Sequence, residues 1–188
     1  MEIVKASIAS EHKTFIDAFI SLDGISKAVT ILRHPKIPLI EIAISIIHKL
    51  LEFENGMEYM KKKADMFTNI YEKMDSESSR VRYQTLMLLV RFCQKVSQGA
   101  FQYITKAATN YARRKNKSPF VELIYSLNKI WDNELRFFAM LLINQLIVKS
   151  PSENKLAKFL ASLENIGFYD ELRALAQEKT HNGILTQL

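Results

Sequence analysis

Four histidines and one cysteine are the side chains best able to hold a metal or attack a substrate, and their spacing supports neither role. His12, His34, His48 and His181 form no His-x-x-x-His pair and have no carboxylate cluster beside them, so no metal ligand set is expected. Cys93 falls among apolar neighbours, which predicts a buried thiol rather than a nucleophile, and a single cysteine permits no disulfide within the chain. Nucleophile elbows, Walker loops and dinucleotide-binding glycine patterns do not occur. Asp132-Asn133-Glu134 reads as the cap of the helix that follows it, not as an acid/base pair. Trp131 and the tyrosines carry ring faces on which bases stack, but they lie on or near apolar stripes, which predicts core packing. The chain is expected to be no enzyme and to need no cofactor.

Charge is the remaining chemical signal. The formal net charge of +6 comes with two clusters, Lys61, Lys62 and Lys63, and Arg113, Arg114, Lys115 with Lys117. Clusters of this kind can meet RNA or an acidic phospholipid surface, and they can equally be hydrated ends that keep a protein soluble. The second cluster sits in NYARRKNKSP, which reads as a solvated loop. Nucleic acid is not the expected partner, and membrane-surface binding is expected to be weak.

The elements that would position these residues are helices. Apolar residues make up 48% of the 188, while Gly and Pro number only 5 and 4, a composition too apolar for disorder and too poor in turn residues for an all-β fold. No run approaches 18 apolar residues, and the first residues carry charges that exclude a signal segment, so a cytoplasmic protein is expected. The governing pattern is an internal repeat. LRFFAMLLINQLI from Leu135 has earlier copies in VRYQTLMLLVRFC from Val81 and LIEIAISIIHKLL from Leu39. Superposed, they give the columns Ala43/Thr85/Ala139, Ile44/Leu86/Met140, Ile47/Leu89/Ile143, Leu50/Phe92/Leu146 and Leu51/Cys93/Ile147. Apolar columns spaced by three and four define one buried helix face used three times. The first two copies are offset by about 42 residues, within the range of armadillo and HEAT repeats. The reading is an all-α, armadillo/HEAT-like α-solenoid of three to four repeats over residues 1–188, cut from a longer protein.

Taken in order, a helix through EHKTFIDAFI is predicted to end at SLDG, with Asp23 capping a short helix to Leu32. Helix 39–53 follows the HPKIP stop, Glu54, Asn55 and Gly56 make a turn, and residues 57–74 hold two short helices. Helices are predicted over 79–95 and 98–114. Ser118-Pro119 and Ser150-Pro151 each read as an N-cap followed by a first helical residue, the former opening a helix through Ile130. Gly167 reads as a left-handed cap, FYDELRALAQ as a closing amphipathic helix, and HNGILTQL as the start of another apolar pattern.

ELRFFAMLLINQLIVKSPSENKLAKFLASLENIGFYDELRAL resembles the end of the armadillo-repeat FH3 region of formins, also called the diaphanous inhibitory domain. FIDAFISLDGISKAVTIL is similar to its first repeat, and FQYITKAATNYARRKNKSPFVELIYSLN to the segment before its closing repeat. The armadillo region of engulfment and motility proteins, which shares the opening "FI.LDGI", is the nearest rival. The formin resemblance implies a scaffold that binds an activated Rho-family GTPase and holds an amphipathic autoinhibitory helix in its groove, associated with the cytoskeleton. Glu52 and Phe53 stand where the diaphanous type has a pair of Asn, and Thr85 and Leu86 where it has two small residues, so a partly filled groove is expected. Actin polymerisation by this chain is not.

Beside the apolar columns run His48/Val90/Asn144 and Lys49/Arg91/Gln145, on the non-core side of the same helices. The expected partner groove is therefore lined by His48, Lys49, Glu52, Arg91, Gln94, Lys95, Asn144 and Gln145.

Overall fold

The computed structural model describes residues 13–177 except 64, 97 and 98. His12, His181, the charged N-terminal stretch and the HNGILTQL pattern lie outside the described residues. Among those described, the chain forms eleven α-helices, one 3-10 turn and no strand.

The helices fall into layers of three, each closed by a long third helix. The first layer holds α1 (Lys13–Ser21), α2 (Gly24–Ile31) and α3 (Ile37–Leu50). The second holds α4 (Glu54–Lys62), α5 (Met66–Tyr71) with the 3-10 turn Glu72–Asp75, and α6 (Ser79–Lys95). The third holds α7 (Ala100–Lys115), α8 (Val121–Tyr125) and α9 (Asn133–Val148), and α10 (Glu153–Glu164) and α11 (Phe168–Gln177) open a fourth. The third helices stack in a row, with α6 packed between α3 and α9, while α1 meets α4 and α2 meets α5. Each helix of the first layer touches its equivalent in the second, and α5 packs on α7 of the third, a layer-on-layer stacking of the armadillo type.

The three repeated segments are those third helices. Ile47, Leu89 and Ile143 are each 0% exposed between layers, and every residue of the apolar columns is buried except Ile147, which is half-buried. Local chemistry sets the ends. The Ser78 hydroxyl accepts from the Val81 amide at 3.4 Å and opens α6, and the Asp132 carboxylate accepts from the Leu135 amide at 2.8 Å and opens α9. The third helix of the first layer has Pro38 in its first turn, where the missing amide costs nothing.

Several predicted boundaries move. Glu54, Asn55 and Gly56 are not a turn but the first residues of α4; a Cβ on Gly56 would stand 2.4 Å from the Leu50 carbonyl oxygen, so glycine is required there by close approach. Ser118 does not cap α8; Phe120 does so in a left-handed conformation at φ 67°. That helix stops at Tyr125 rather than Ile130; past its end Asn128 accepts from the Ile130 amide at 3.2 Å, and the Trp131 ring nitrogen donates to the Tyr125 carbonyl at 3.0 Å. An Asn side chain offers the backbone an alternative to the helical ladder. At α10 the cap is Ser152, whose hydroxyl accepts from the Lys155 amide, and not Ser150. Asp23 occupies the N-cap position of α2 but spends its carboxylate on the Tyr59 hydroxyl and on Lys63 instead of a helix amide. Gly167 is left-handed as expected, at φ +86°.

Two of the contacts that join the second layer to the third are buried. Phe67, Phe92 and Tyr103 form an aromatic cluster with ring centroids 4.4 to 5.7 Å apart. The other is ionic. Arg82 of α6, 2% exposed, donates to the Glu122 carboxylate at 3.2 Å, the Glu122 carbonyl at 3.1 Å and the Ser126 hydroxyl at 3.1 Å. Its guanidinium lies 5.1 and 4.9 Å from the ring centres of Tyr125 and Trp131. Glu122 is held as well by the Tyr111 hydroxyl at 3.0 Å and by Lys117 at 2.7 Å.

Candidate protein-interaction groove

On a helical wheel, the exposed and half-buried residues of α3 beyond its first turn, Glu41, Ile42, Ser45, His48 and Lys49, fall on one arc that Glu52 continues just past the helix end. The equivalent arc of α6 carries Tyr83, Gln84, Met87, Arg91 and Gln94, and that of α9 carries Phe137, Phe138, Leu141, Asn144, Gln145 and Val148. Since α3, α6 and α9 lie side by side, the three arcs form one continuous surface. The pair Arg80–Glu41 at 3.4 Å and the edge-on rings Tyr83 and Phe138 at 5.2 Å join neighbouring arcs.

The sequence-selected residues occupy the C-terminal half of this surface. Arg91, Gln94, Lys95 and Glu52 are exposed, and His48, Lys49, Asn144 and Gln145 are half-buried. Lys49 donates to Glu52 at 2.6 Å, which holds the Glu52 carboxyl below the usual carboxylate range against the opposing effect of burial. Burial pushes the His48 imidazole below its ordinary value; Glu52 opposes this, and Arg91, Lys49 and Lys95 add to it. With Lys49, Arg91 and Lys95 against the single acid Glu52, the C-terminal end of the α3–α6 surface is cationic. Val90, the α6 member of the His48/Asn144 column, is 2% exposed, so that column turns towards the next layer.

Thr85 and Leu86 do not fill the groove. Both are 0% exposed, and the Thr85 hydroxyl bonds the Val81 carbonyl at 2.8 Å, so they belong to the packing face between layers. Beside the expected polar residues, the open arcs also carry apolar ones. Met87, Phe137, Phe138 and Leu141 are half-buried on the open arcs and Val148 is 75% exposed. The signal was present in α9, which is apolar on nearly every face, since such a helix is either fully enclosed or offered to a partner.

The basic residues behave otherwise. Arg113, Arg114 and Lys115 are the last turn of α7 rather than a loop, where cations favour the helix dipole. Arg114 pairs with Glu72 at 3.1 Å, Lys115 with Asp75 at 3.8 Å, and Lys117 with Asp75 at 3.0 Å and Glu122 at 2.7 Å. Those bonds push Lys117 above the ordinary lysine value. Lys61 pairs with Glu58 at 2.6 Å and Lys63 with Asp23 at 3.8 Å, while Lys62 is exposed at the end of α4. Among the described residues no three His, Cys, Asp or Glu side chains converge as a metal site, and no helix is long and apolar enough to cross a membrane.

A solenoid with an open surface along its third helices is an armadillo-type scaffold. Its family follows from sequence: the FHOD1/3 FH3 domain profile matches residues 39–170, more than two thirds of the chain, and the chain belongs to that formin FH3 family. Formin-G of Dictyostelium discoideum is 24% identical over 165 residues, covering 88% of this chain and 15% of that protein. The chain thus spans a small part of the length of its curated relative. Among solved structures, the E. histolytica Formin1 bound to EhRho1-GTPgammaS superposes with a TM-score of 0.77 at 14% identity, over 93% of this chain and 64% of that one. A computationally designed armadillo repeat protein for modular peptide recognition superposes at 0.71 with 13% identity, over 97% of this chain and 69% of that one. These two likenesses establish the fold.

Proposed function

We propose that the chain is a non-catalytic regulatory scaffold of a formin whose groove along α3, α6 and α9 takes an amphipathic helix. The observation that carries this reading is the polarity of the open surface. His48, Lys49, Arg91 and Lys95 gather at the α3–α6 end, while Met87, Phe137, Phe138 and Leu141 give an apolar floor towards α9. A helix with acidic residues at one end and a leucine stripe at i, i+3 and i+4 matches both. Packed helices lie about 10 Å apart, so such a helix would meet successive arcs at that interval. The same scaffold serves a Rho-family GTPase in its GTP-bound form, a reading supported by family membership and by the formin–Rho complex among its structural neighbours. Both partners would tie the domain to cytoplasmic control of actin assembly.

The test is charge reversal. Lys49→Glu with Arg91→Glu should abolish capture of a synthetic amphipathic helix with an acidic end while changing thermal unfolding little, because Arg91 is exposed and an ion pair near the surface such as Lys49–Glu52 contributes at most about 1 kcal/mol. A double variant that binds the helix as the unaltered chain does refutes the groove. GTPase recognition is read separately, as retention of Rho-family GTPases loaded with GTPγS but not GDP; equal retention of both forms refutes it.

A further inference from the structure

A trough of about 780 Å³ runs between α7 and α10, the first helices of the third and fourth layers, and none of its lining residues belongs to α3, α6 or α9. Its floor is aromatic: the buried Phe159 ring meets the rings of Phe101 and Phe120 edge-on, with centroids 5.7 and 5.0 Å away. Its rim is cationic. Lys106 and Arg113 stand on the α7 wall, Lys155 and Lys158 on the α10 wall, and no carboxylate lines the trough. The spacings of three, four and seven along each helix keep each wall on one helix face.

These four cations differ from the rest of the basic residues around them. Arg114, Lys115 and Lys117 are neutralised by Glu72, Asp75 and Glu122, whereas Lys106, Arg113, Lys155 and Lys158 are exposed and make no ion pair with any described residue. Arg113 is next to Arg114 in sequence but points to the other side of α7 and joins a separate group. Cations gathered without counter-charges raise the local positive potential, which an anionic ligand relieves.

We infer that this trough binds an acidic peptide segment that carries an aromatic side chain, at a site separate from the groove of the third helices. The recessed floor selects a peptide over a membrane surface, since only an inserted side chain reaches Phe159, and a membrane surface would call for protruding apolar groups. It also disfavours nucleic acid, because the three rings are buried edge against face and leave no open platform for a base. On the α7 wall the Thr105 and Thr109 hydroxyls donate to carbonyls of their own helix and keep oxygen lone pairs that can accept from a peptide's amides.

The experiment is fluorescence anisotropy of the whole chain with a fluorescein-labelled glutamate- and serine-rich peptide bearing one central phenylalanine. Its controls are the same peptide with glutamine for glutamate, phosphatidylserine vesicles and a single-stranded RNA. The acidic peptide should bind, the glutamine version should not, and Lys155→Glu with Lys158→Glu should weaken binding about tenfold or more. Lys49→Glu with Arg91→Glu should leave it unchanged, which separates failure of this site from failure of the groove. Circular dichroism of each variant confirms the fold. An affinity indifferent to the Lys155 and Lys158 reversals, equal binding of the neutral peptide, or absence of acidic-peptide binding overturns the inference. Loss of vesicle or RNA binding in the Lys155/Lys158 variant without any peptide binding overturns it in favour of a membrane or a nucleic acid.

Discussion

Breaking the buried Arg82–Glu122 pair should loosen the joint between the second and third layers, and the two ways of breaking it should not cost the same. Removing one partner of a buried pair costs about 3 to 5 kcal/mol, mostly because the other charge is left uncompensated. Arg82→Met leaves Glu122 with the Tyr111 hydroxyl at 3.0 Å and Lys117 at 2.7 Å. The carboxylate stays satisfied, and the expected loss is near the lower end, about 3 kcal/mol. Glu122→Leu leaves Arg82 with the Ser126 hydroxyl and the carbonyls of residues 122 and 76, all neutral, and removes one partner of Lys117. A buried guanidinium without a carboxylate places that loss near the upper end, about 5 kcal/mol. The double variant removes both charges and should cost about as much as Arg82→Met alone, because coupled neighbours are not additive. Urea unfolding followed by the helical circular dichroism signal measures all three. A loss under about 1 kcal/mol for Arg82→Met, the range of ordinary surface changes, or a double variant equal to the sum of the singles would refute the assignment of this pair as the interlayer joint.

The other expected outcomes are simpler. Leu89→Ala should destabilise by about 2 to 5 kcal/mol in the same assay, since Leu89 is 0% exposed and the neighbouring helices cannot collapse onto the space. Gly56→Ala should cost about 1 to 3 kcal/mol because its methyl would stand 2.4 Å from the Leu50 carbonyl oxygen, a backbone atom that moves only with α3. Cys93 should resist a disulfide reagent at neutral pH until the chain unfolds, being fully buried with its thiol pushed up to about 12 by burial. The His48 imidazole is depressed by burial, so the unfolded chain binds its proton more readily than the folded one. Its contribution is present above the unfolded value of 6.5 and is lost as pH falls through the lower folded value, so urea midpoints between pH 7 and pH 5 should fall less for His48→Gln than for the unaltered chain.

The sequence shows the stack well because its signal is periodic and repeated. Three copies of one apolar pattern place Ile47, Leu89 and Ile143 in equivalent buried positions, and the helix expected over 79–95 is α6 from end to end. Boundaries set by contacts distant in sequence are not visible in it. Gly56 reads as a turn until the Leu50 carbonyl is placed against it, and the last carbonyl of α8 is taken by the Trp131 ring nitrogen. Arg82 reads as one more exposed charge in a helix, since its partner Glu122 lies forty residues on and its ring neighbours further still. Of the open arcs, the polar columns beside the core are legible in the sequence, whereas Phe137, Leu141 and Val148 look like core until α9 is placed beside α6. The division of the basic residues into paired and unpaired sets depends on which side of α7 each one leaves, and that is settled by the acids of the neighbouring layer.

The most direct test of the groove is a photo-crosslinking measurement with a benzophenone amino acid placed at Met87, in the middle of the three arcs, and separately at Gln102 on α7. With the amphipathic helix present, the account predicts an adduct from position 87 and none from position 102, and loss of that adduct when Lys49→Glu and Arg91→Glu are added. An adduct from position 102 alone, or one from position 87 that survives both reversals, would contradict it.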